Sequence, residues 1–130
     1  MKQKVHSVSY LAKAEFEFKN GVYDLVALPS GAEVVKVSLE VVGCSPMTDG
    51  GVNVGFKDEE EKNYFLALSN VLKLDNISTS VLYSFTSNKD YTATSNKVVV
   101  AEVSAREGCD NVKGVLRVLY FLPSVIEVEY

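Results

Sequence analysis

The chain has 130 residues, of which 47% are apolar and 23% are charged, and its formal net charge is −4. This composition is typical of a globular protein, and the length predicts one domain over residues 1–130. A nucleic-acid partner is not expected, because the basic residues are scattered rather than clustered to meet phosphates. No apolar run is long enough to span a bilayer, and the first ten residues lack a signal-peptide core, so we expect no membrane association and synthesis in the cytoplasm.

Valine is unusually frequent, with 22 copies, which favours β-structure because a branched Cβ fits a pleated strand. The first strong strand covers residues 14–18, where Ala14, Phe16 and Phe18 alternate with two glutamates. Strict alternation of this kind predicts a strand with one buried face. Asn20 and Gly21 then predict a tight hairpin turn into a second strand at residues 22–28.

The clearest strand lies at residues 33–42 and follows a turn predicted by Pro29, Ser30 and Gly31. Alternate positions give this strand one apolar face and one mixed face, as in an antiparallel sheet packed on a second sheet. The predicted buried face consists of Val35, Val37, Leu39 and Val41, and the mixed face of Val34, Lys36, Ser38, Glu40 and Val42.

The remaining sequence continues the pattern of short strands between turns. Residues 64–68 fit either a strand or one to two helical turns, and residues 106–111 indicate a hairpin loop. Further strands are predicted at residues 52–56, 81–85, 97–103, 112–122 and 125–130. This spacing predicts an all-β fold, an antiparallel β-sandwich or a β-barrel, with at most one short helix.

No pattern of catalytic, cofactor-binding or metal-binding residues is found, so we expect a protein that is not an enzyme. His6 is the only histidine, and a metal site needs about four ligands. Cys44 and Cys109 are 65 positions apart and are expected to be free thiols in a reducing compartment. Glu15 and Glu17 share a strand face, and the acidic run at residues 58–61 fits a solvated turn.

Residues 22–68 carry a recognisable order of motifs. A Leu28-Pro29-Ser30-Gly31-Ala32 turn precedes the valine-rich strand, and a glycine-rich loop leads to Val52-Asn53-Val54-Gly55 and then to Phe65-Leu66. This order resembles small virion proteins of tailed bacteriophages, of the head decoration (cement) or head-fibre type. The resemblance implies a jelly-roll-like fold, self-association, and binding to a capsid lattice or another virion protein. For a head decoration protein we expect a homotrimer bound to the major capsid protein lattice on the capsid exterior.

Interface residues are predicted from residue type. Tyrosine is favoured at interfaces because it buries a large area and keeps a polar tip, and the alternating end at residues 125–130 could pair with a neighbour's sheet edge. The alternatives are tyrosines that line the core edge and a final strand that pairs within the chain. The candidates are Tyr10, Tyr83, Tyr91, Tyr130 and Val128.

Two functions compete, and a third is disfavoured. The first is a structural virion protein that decorates and stabilises the phage head. The second is a tail-fibre or receptor- or carbohydrate-binding module, in which Tyr91 would act with the polar residues around it; the alternative for that stretch is an ordinary polar hairpin loop. A small β-barrel enzyme or cupin-like metal protein is disfavoured because one histidine cannot supply the usual metal shell.

Overall fold

The computed structural model describes residues 2–6, 8–43, 50–57, 62–68, 81–105, 112–122 and 125–129. Within these ranges the chain forms β-strands and no helix, so the segment that fitted either a strand or a short helix contains a strand. The strands are β1 (Lys2–His6), β2 (Ser9–Glu17), β3 (Gly21–Leu28), β4 (Glu33–Gly43), β5 (Gly50–Phe56), β6 (Leu66–Leu68), β7 (Val81–Thr86), β8 (Tyr91–Thr92), β9 (Lys97–Ala105), β10 (Val112–Phe121) and β11 (Val125–Glu129).

Two antiparallel sheets pack face to face as a sandwich. One sheet, here the β2 sheet, has the strand order β2-β10-β4-β7, with β8 also paired to β4; the other, the β3 sheet, has the order β3-β9-β5-β6. Strands β2, β3, β4 and β5 therefore alternate between the two sheets along the chain. This alternation is the connectivity of a jelly roll, and it confirms the predicted fold class.

The hairpin predicted at Asn20-Gly21 is wrong, because β2 pairs with β10 and β3 pairs with β9, so the chain crosses from one sheet to the other between these strands. Residues 106–111, where a second hairpin loop is predicted, lie outside the described residues, and the strands before and after them, β9 and β10, belong to different sheets. At the first crossing the Phe18 N–H donates to the Val112 carbonyl at 3.0 Å, and Gly21 takes a φ of +151°. A turn signal encodes a change of direction, but it does not specify which strand lies alongside.

The core lies between the inner faces of the two sheets. Phe16 and Phe18 are buried as predicted, while the glutamates between them are exposed. Strand β4 corrects the prediction at its start, because Val34 is fully buried and Val35 is 45% exposed. The register between β4 and β10 shifts at this point, where Tyr120 pairs with Val34 and Leu119 with Lys36. The extra residue is a β-bulge, which reverses the faces of the residues before it.

The predicted turn at Pro29 is confirmed and has a specific geometry. The Ala32 N–H donates to the Pro29 carbonyl at 3.1 Å, and Gly31, the third residue of the turn, has a φ of +88°. These are features of a type II turn, which favours glycine at that position. The turn is joined to the segment before β9, since the Gly31 N–H donates to the Ala93 carbonyl at 2.6 Å and the Ala93 N–H to the Ala32 carbonyl at 2.8 Å.

Replacing Gly31 with alanine is expected to lower the free energy of unfolding by about 1–2 kcal/mol, because a side chain makes a left-handed backbone conformation costly. The measurement is urea denaturation followed by circular dichroism. Ser30→Ala in the same turn is the control, and it should cost less because Ser30 is exposed and loses only the 3.3 Å hydrogen bond from its hydroxyl to the Thr94 carbonyl. An equal loss for both variants would contradict the role given to Gly31.

The chain ends form a two-stranded ribbon that continues the β2–β10 pair. Strand β1 pairs with β11, from Lys2 opposite Glu129 to His6 opposite Val125. Between this ribbon and the last β2–β10 pair, Ser9 opposite Phe121, the Leu122 N–H donates to the Val8 carbonyl at 2.8 Å. The last strand therefore pairs within the chain, which was one of the two alternatives for residues 125–130.

Candidate functional site

The predicted interface residues do not converge on one site. Tyr10 lies near the start of β2, where its ring centroid is 5.9 Å from that of Tyr120. Tyr83 lies on β7, at the opposite edge of the same sheet, in register with Val41. Val128 lies on the terminal ribbon in register with Gln3, and Tyr130 lies outside the described residues.

Tyr91 belongs to an aromatic cluster at one margin of the core. Its ring is half-buried, with its centroid 4.5 Å from that of Phe56 and 5.5 Å from that of Tyr64. Phe65 completes the cluster against Phe56 at 5.3 Å. The Tyr64 hydroxyl donates to the Asp90 carbonyl at 2.9 Å, so the cluster holds the segment before β8 against the β3 sheet.

The polar residues around Tyr91 are used within the protein. The Thr92 hydroxyl donates to a Glu33 carboxylate oxygen at 2.6 Å. The Ser30 N–H donates to the Asn96 side-chain oxygen at 2.9 Å, and the Ser30 hydroxyl donates to the Thr94 carbonyl at 3.3 Å. These bonds tie the segment at residues 91–96 to the start of β4 and to the type II turn. They are the contacts expected of a structural loop, the alternative weighed against a sugar-binding cluster.

Exposed apolar side chains gather at one end of the β2 sheet, on both of its faces. Among the described residues six large hydrophobic side chains are exposed, and four of them lie at this end: Val8, Tyr10, Leu11 and Val35. We call these four residues the β2 patch. Strand β10 connects them, because Tyr120 pairs with Tyr10 and Leu119 with Leu11, while the bulge at Val35 lies opposite the same two β10 residues.

The sequence interpretation found Tyr10 but missed the rest of the β2 patch. Leu11 is 62% exposed, more than Tyr10 at 51%. The signal for Leu11 was present, since Tyr10, Leu11 and Ala12 are three consecutive non-polar residues on a strand, which places an apolar side chain on each face. The signal for Val35 was absent, because its exposure follows from the bulge.

Several charged residues lie on the outer surface of the β2 sheet beyond this end. Arg117 on β10 forms an ion pair with Glu40 on β4, with Nη1 and Oε1 2.7 Å apart. On β2, Lys13 pairs in register with Arg117, and the exposed Glu15 and Glu17 continue the row. The surface therefore changes along β2 from apolar at its start to charged at its end.

A shallow cleft of about 690 Å³ lies on the side of the sandwich where β2 and β3 form the two sheet edges. An ion pair crosses its rim, with Lys57 Nζ 2.6 Å from Asp24 Oδ2. The lining mixes charged and apolar side chains: Glu15, Phe16, Val22, Tyr23, Asp24, Leu25, Lys57 and Lys62. Both charged ion-pair residues are largely exposed, which makes the cleft a wet surface groove.

In the part of the chain that the structure describes, no group of three or more histidine, cysteine, aspartate or glutamate residues is placed to hold a metal ion. Cys44, Cys109 and the acidic run at residues 58–61 lie outside that part, and of His6 only the backbone position on β1 is described. No helix in the described ranges is long and apolar enough to cross a membrane.

The fold of this chain is similar to the folds of chains in phage capsid structures. It is similar to a chain of the cyanophage Pam1 capsid asymmetric unit, with a TM-score of 0.64 and 19% identity over 88% of this chain and 85% of that chain. A chain from the capsid of Ralstonia phage GP4 gives a TM-score of 0.61 and 15% identity over 92% and 88%. At these identities the likeness is one of fold.

A third structure shows the family. A chain of the acidic stable capsid structure of Helicobacter pylori bacteriophage KHP30 is 71% identical to this protein, with a TM-score of 0.85 over 100% of both chains. The protein therefore belongs to the family of bacteriophage capsid proteins that this KHP30 chain represents. No protein-family model and no curated protein sequence matches it.

Proposed function

We propose that the protein is a decoration (cement) protein, which binds as a homotrimer to the outer surface of the phage head and stabilises its lattice of major capsid protein. The observation that carries the proposal is the full-length 71% identity to a chain of a phage capsid structure. The similarity over the whole of both chains means that the entire jelly roll, and not one motif, is shared with that capsid chain.

The surface supports a binding role. The β2 patch places four exposed apolar side chains at one end of the β2 sheet, on both of its faces, and exposed apolar side chains grouped in this way are typical of interaction sites. The sandwich behind it has a continuous buried core, so the patch is carried on a rigid scaffold. A decoration protein needs such a contact surface and needs no reactive pocket.

The contacts of Tyr91 and its neighbours do not favour the carbohydrate-binding alternative. It was based on Tyr91 and the polar residues near it, and the structure uses that ring in the aromatic cluster. Thr92 and Asn96 bond to Glu33 and Ser30. No described feature of this segment favours a bound sugar over a structural loop.

The test is co-sedimentation of the purified protein with empty shells assembled from the major capsid protein of the same phage. We expect saturable binding and a higher disassembly temperature of the shells, because a ligand that binds only the assembled state stabilises it. The native mass of the free protein, measured by light scattering, is expected to be three times the chain mass. Absence of binding by a folded sample would refute the decoration role, and a native mass other than that of a trimer would refute the trimer.

A further inference from the structure

We propose that the free edge of β2 at residues 9–12 pairs with an extended segment of the major capsid protein, which adds to the β2 sheet as an antiparallel or parallel strand. The inference depends on the proposed function, because it names the surface through which this protein would bind the capsid lattice. In this contact the main chain of β2 forms the hydrogen bonds, and the side chains of Tyr10 and Leu11 pack against the added strand.

The edge of β2 is open in the described structure, where β10 is the neighbour of this strand. Two hydrogen bonds fix the alternation along the pair: Phe18 donates to Val112, and Leu122 donates to Val8. In an antiparallel ladder alternate residues bond to the partner, so the even-numbered residues of β2 face β10. The N–H and C=O groups of Ser9, Leu11 and Lys13 therefore face the open side.

The other sheet edges carry features that oppose pairing. Strand β3 has a register shift that leaves Leu25 as a bulge, beside the Asp24–Lys57 ion pair. Strand β6 has three residues, and the far edge of the β2 sheet is divided between the six residues of β7 and the two of β8. Bulges, charges and short strands are the usual protection of sheet edges. Strand β2 is the longest edge, with nine residues and no register shift in its pairing with β10.

On β2, the charged residues that oppose pairing with another strand lie only in the second half of the strand. Lys13, Glu15 and Glu17 place charges along that half, whereas residues 9–12 carry none. Tyr10 and Leu11 are adjacent, so they lie on opposite faces of the strand, and both are more than half exposed. A strand added here would gain main-chain hydrogen bonds and an apolar contact on each face, which is the usual basis of recognition by strand addition.

A second copy is a less suitable partner for this edge. Pairing residues 9–12 with the same residues of another copy would relate the two copies by a two-fold axis, which gives a dimer and not the proposed trimer. In a cyclic trimer the edge would pair with a different edge of the next copy, and the other edges carry the bulge, the charges and the short strands described above. A segment of the major capsid protein with uncharged, apolar residues opposite Tyr10 and Leu11 meets neither conflict.

The experiment compares variants of the whole protein in binding to empty shells of the major capsid protein. Leu11→Lys places a charge on the edge, and Leu11→Pro removes the outward N–H at a position where β10 loses no hydrogen bond. The matched control is Val22→Lys, because Val22 is a 48% exposed apolar residue on the other long edge strand, β3. We expect both Leu11 variants to weaken shell binding at least tenfold and Val22→Lys to change it less than twofold.

Circular dichroism and native mass accompany each binding curve. If the folded Leu11→Lys variant binds shells with an affinity within twofold of the wild-type protein, the inference is overturned and the proposed function is left intact. Failure of the wild-type protein to bind would overturn both. A Leu11 variant with a changed native mass and unchanged shell binding would assign the edge to contacts between copies, which also overturns the inference.

Discussion

Replacing Phe56 with alanine is expected to lower the free energy of unfolding by about 3–5 kcal/mol, the usual range for deleting a buried ring. Phe56 is fully buried at the end of β5. Its ring lies 4.5 Å from Tyr91, 5.4 Å from Tyr64 and 5.3 Å from Phe65, measured between centroids. The deletion removes the shared partner of the aromatic cluster and leaves a cavity between the sheet and the segment at residues 91–96.

Guanidinium denaturation provides the measurement, with two comparison variants. Phe56→Leu keeps much of the volume and should cost less than the alanine variant, because what it loses is mainly the ring contacts. Val22→Ala truncates an exposed side chain and should change stability by no more than about 0.5 kcal/mol. A loss below about 1 kcal/mol for Phe56→Ala would show that the cluster does not hold this margin of the fold.

Replacing Gly114 with alanine is expected to cost up to about 3 kcal/mol, the upper range for overpacking a core. Gly114 lies opposite Phe16 in the β2–β10 register. A Cβ at Gly114 would lie 2.2 Å from Phe16 Cζ and 2.5 Å from Cε1. The ring cannot move away freely, because it is buried and stacks on Tyr23 with centroids 5.6 Å apart.

A double-mutant cycle with Phe16→Leu separates this clash from any other destabilising effect of alanine at position 114. The smaller side chain makes room for the new methyl group, so the double variant should be at least 1 kcal/mol more stable than the two single changes predict when added, within the range of coupling measured for contacting residues. Strict additivity in urea denaturation would contradict direct packing of Phe16 over Gly114.

The strands of this protein are readable from the sequence because most of them have one buried face. Phe16 and Phe18 alternate with exposed glutamates, and Val37, Leu39 and Val41 alternate with partly exposed polar residues. This periodicity, together with the turn residues Pro29 and Gly31, predicts an antiparallel β-sandwich or barrel, and the jelly-roll type followed only from the resemblance to virion proteins. The turn at Pro29 was readable because proline and glycine act locally on the backbone, whereas its type II geometry is given by the structure.

The pairing between strands distant in sequence was harder to predict from the sequence. The signal at Asn20 and Gly21 predicts a hairpin, but β2 and β3 belong to different sheets, and the partner of β2 is β10, which begins only at Val112. The bulge at Val35 is similar, because one extra residue exchanges the buried and exposed positions before it. Both errors arise at positions whose pairing or exposure depends on strands that are distant in sequence.

The candidate surface was only partly predictable for the same reason. Tyr10 was selected by residue type, which does not distinguish an exposed tyrosine from one that packs on the core, as Tyr91 does against Phe56. The β2 patch unites Tyr10 and Leu11 with Val35 because β10 lies between β2 and β4. A surface built from three strands becomes visible only after their order is known.

The most direct test of the central claim is a cryo-electron microscopy map of the intact phage head that carries this protein. The decoration role predicts jelly-roll density in groups of three on the outer surface, each contacting the major capsid protein. The edge of β2 should lie against that lattice with Tyr10 and Leu11 covered. A head whose outer surface lacks this density, or which carries the protein only inside the shell or on the tail, would contradict the proposed function.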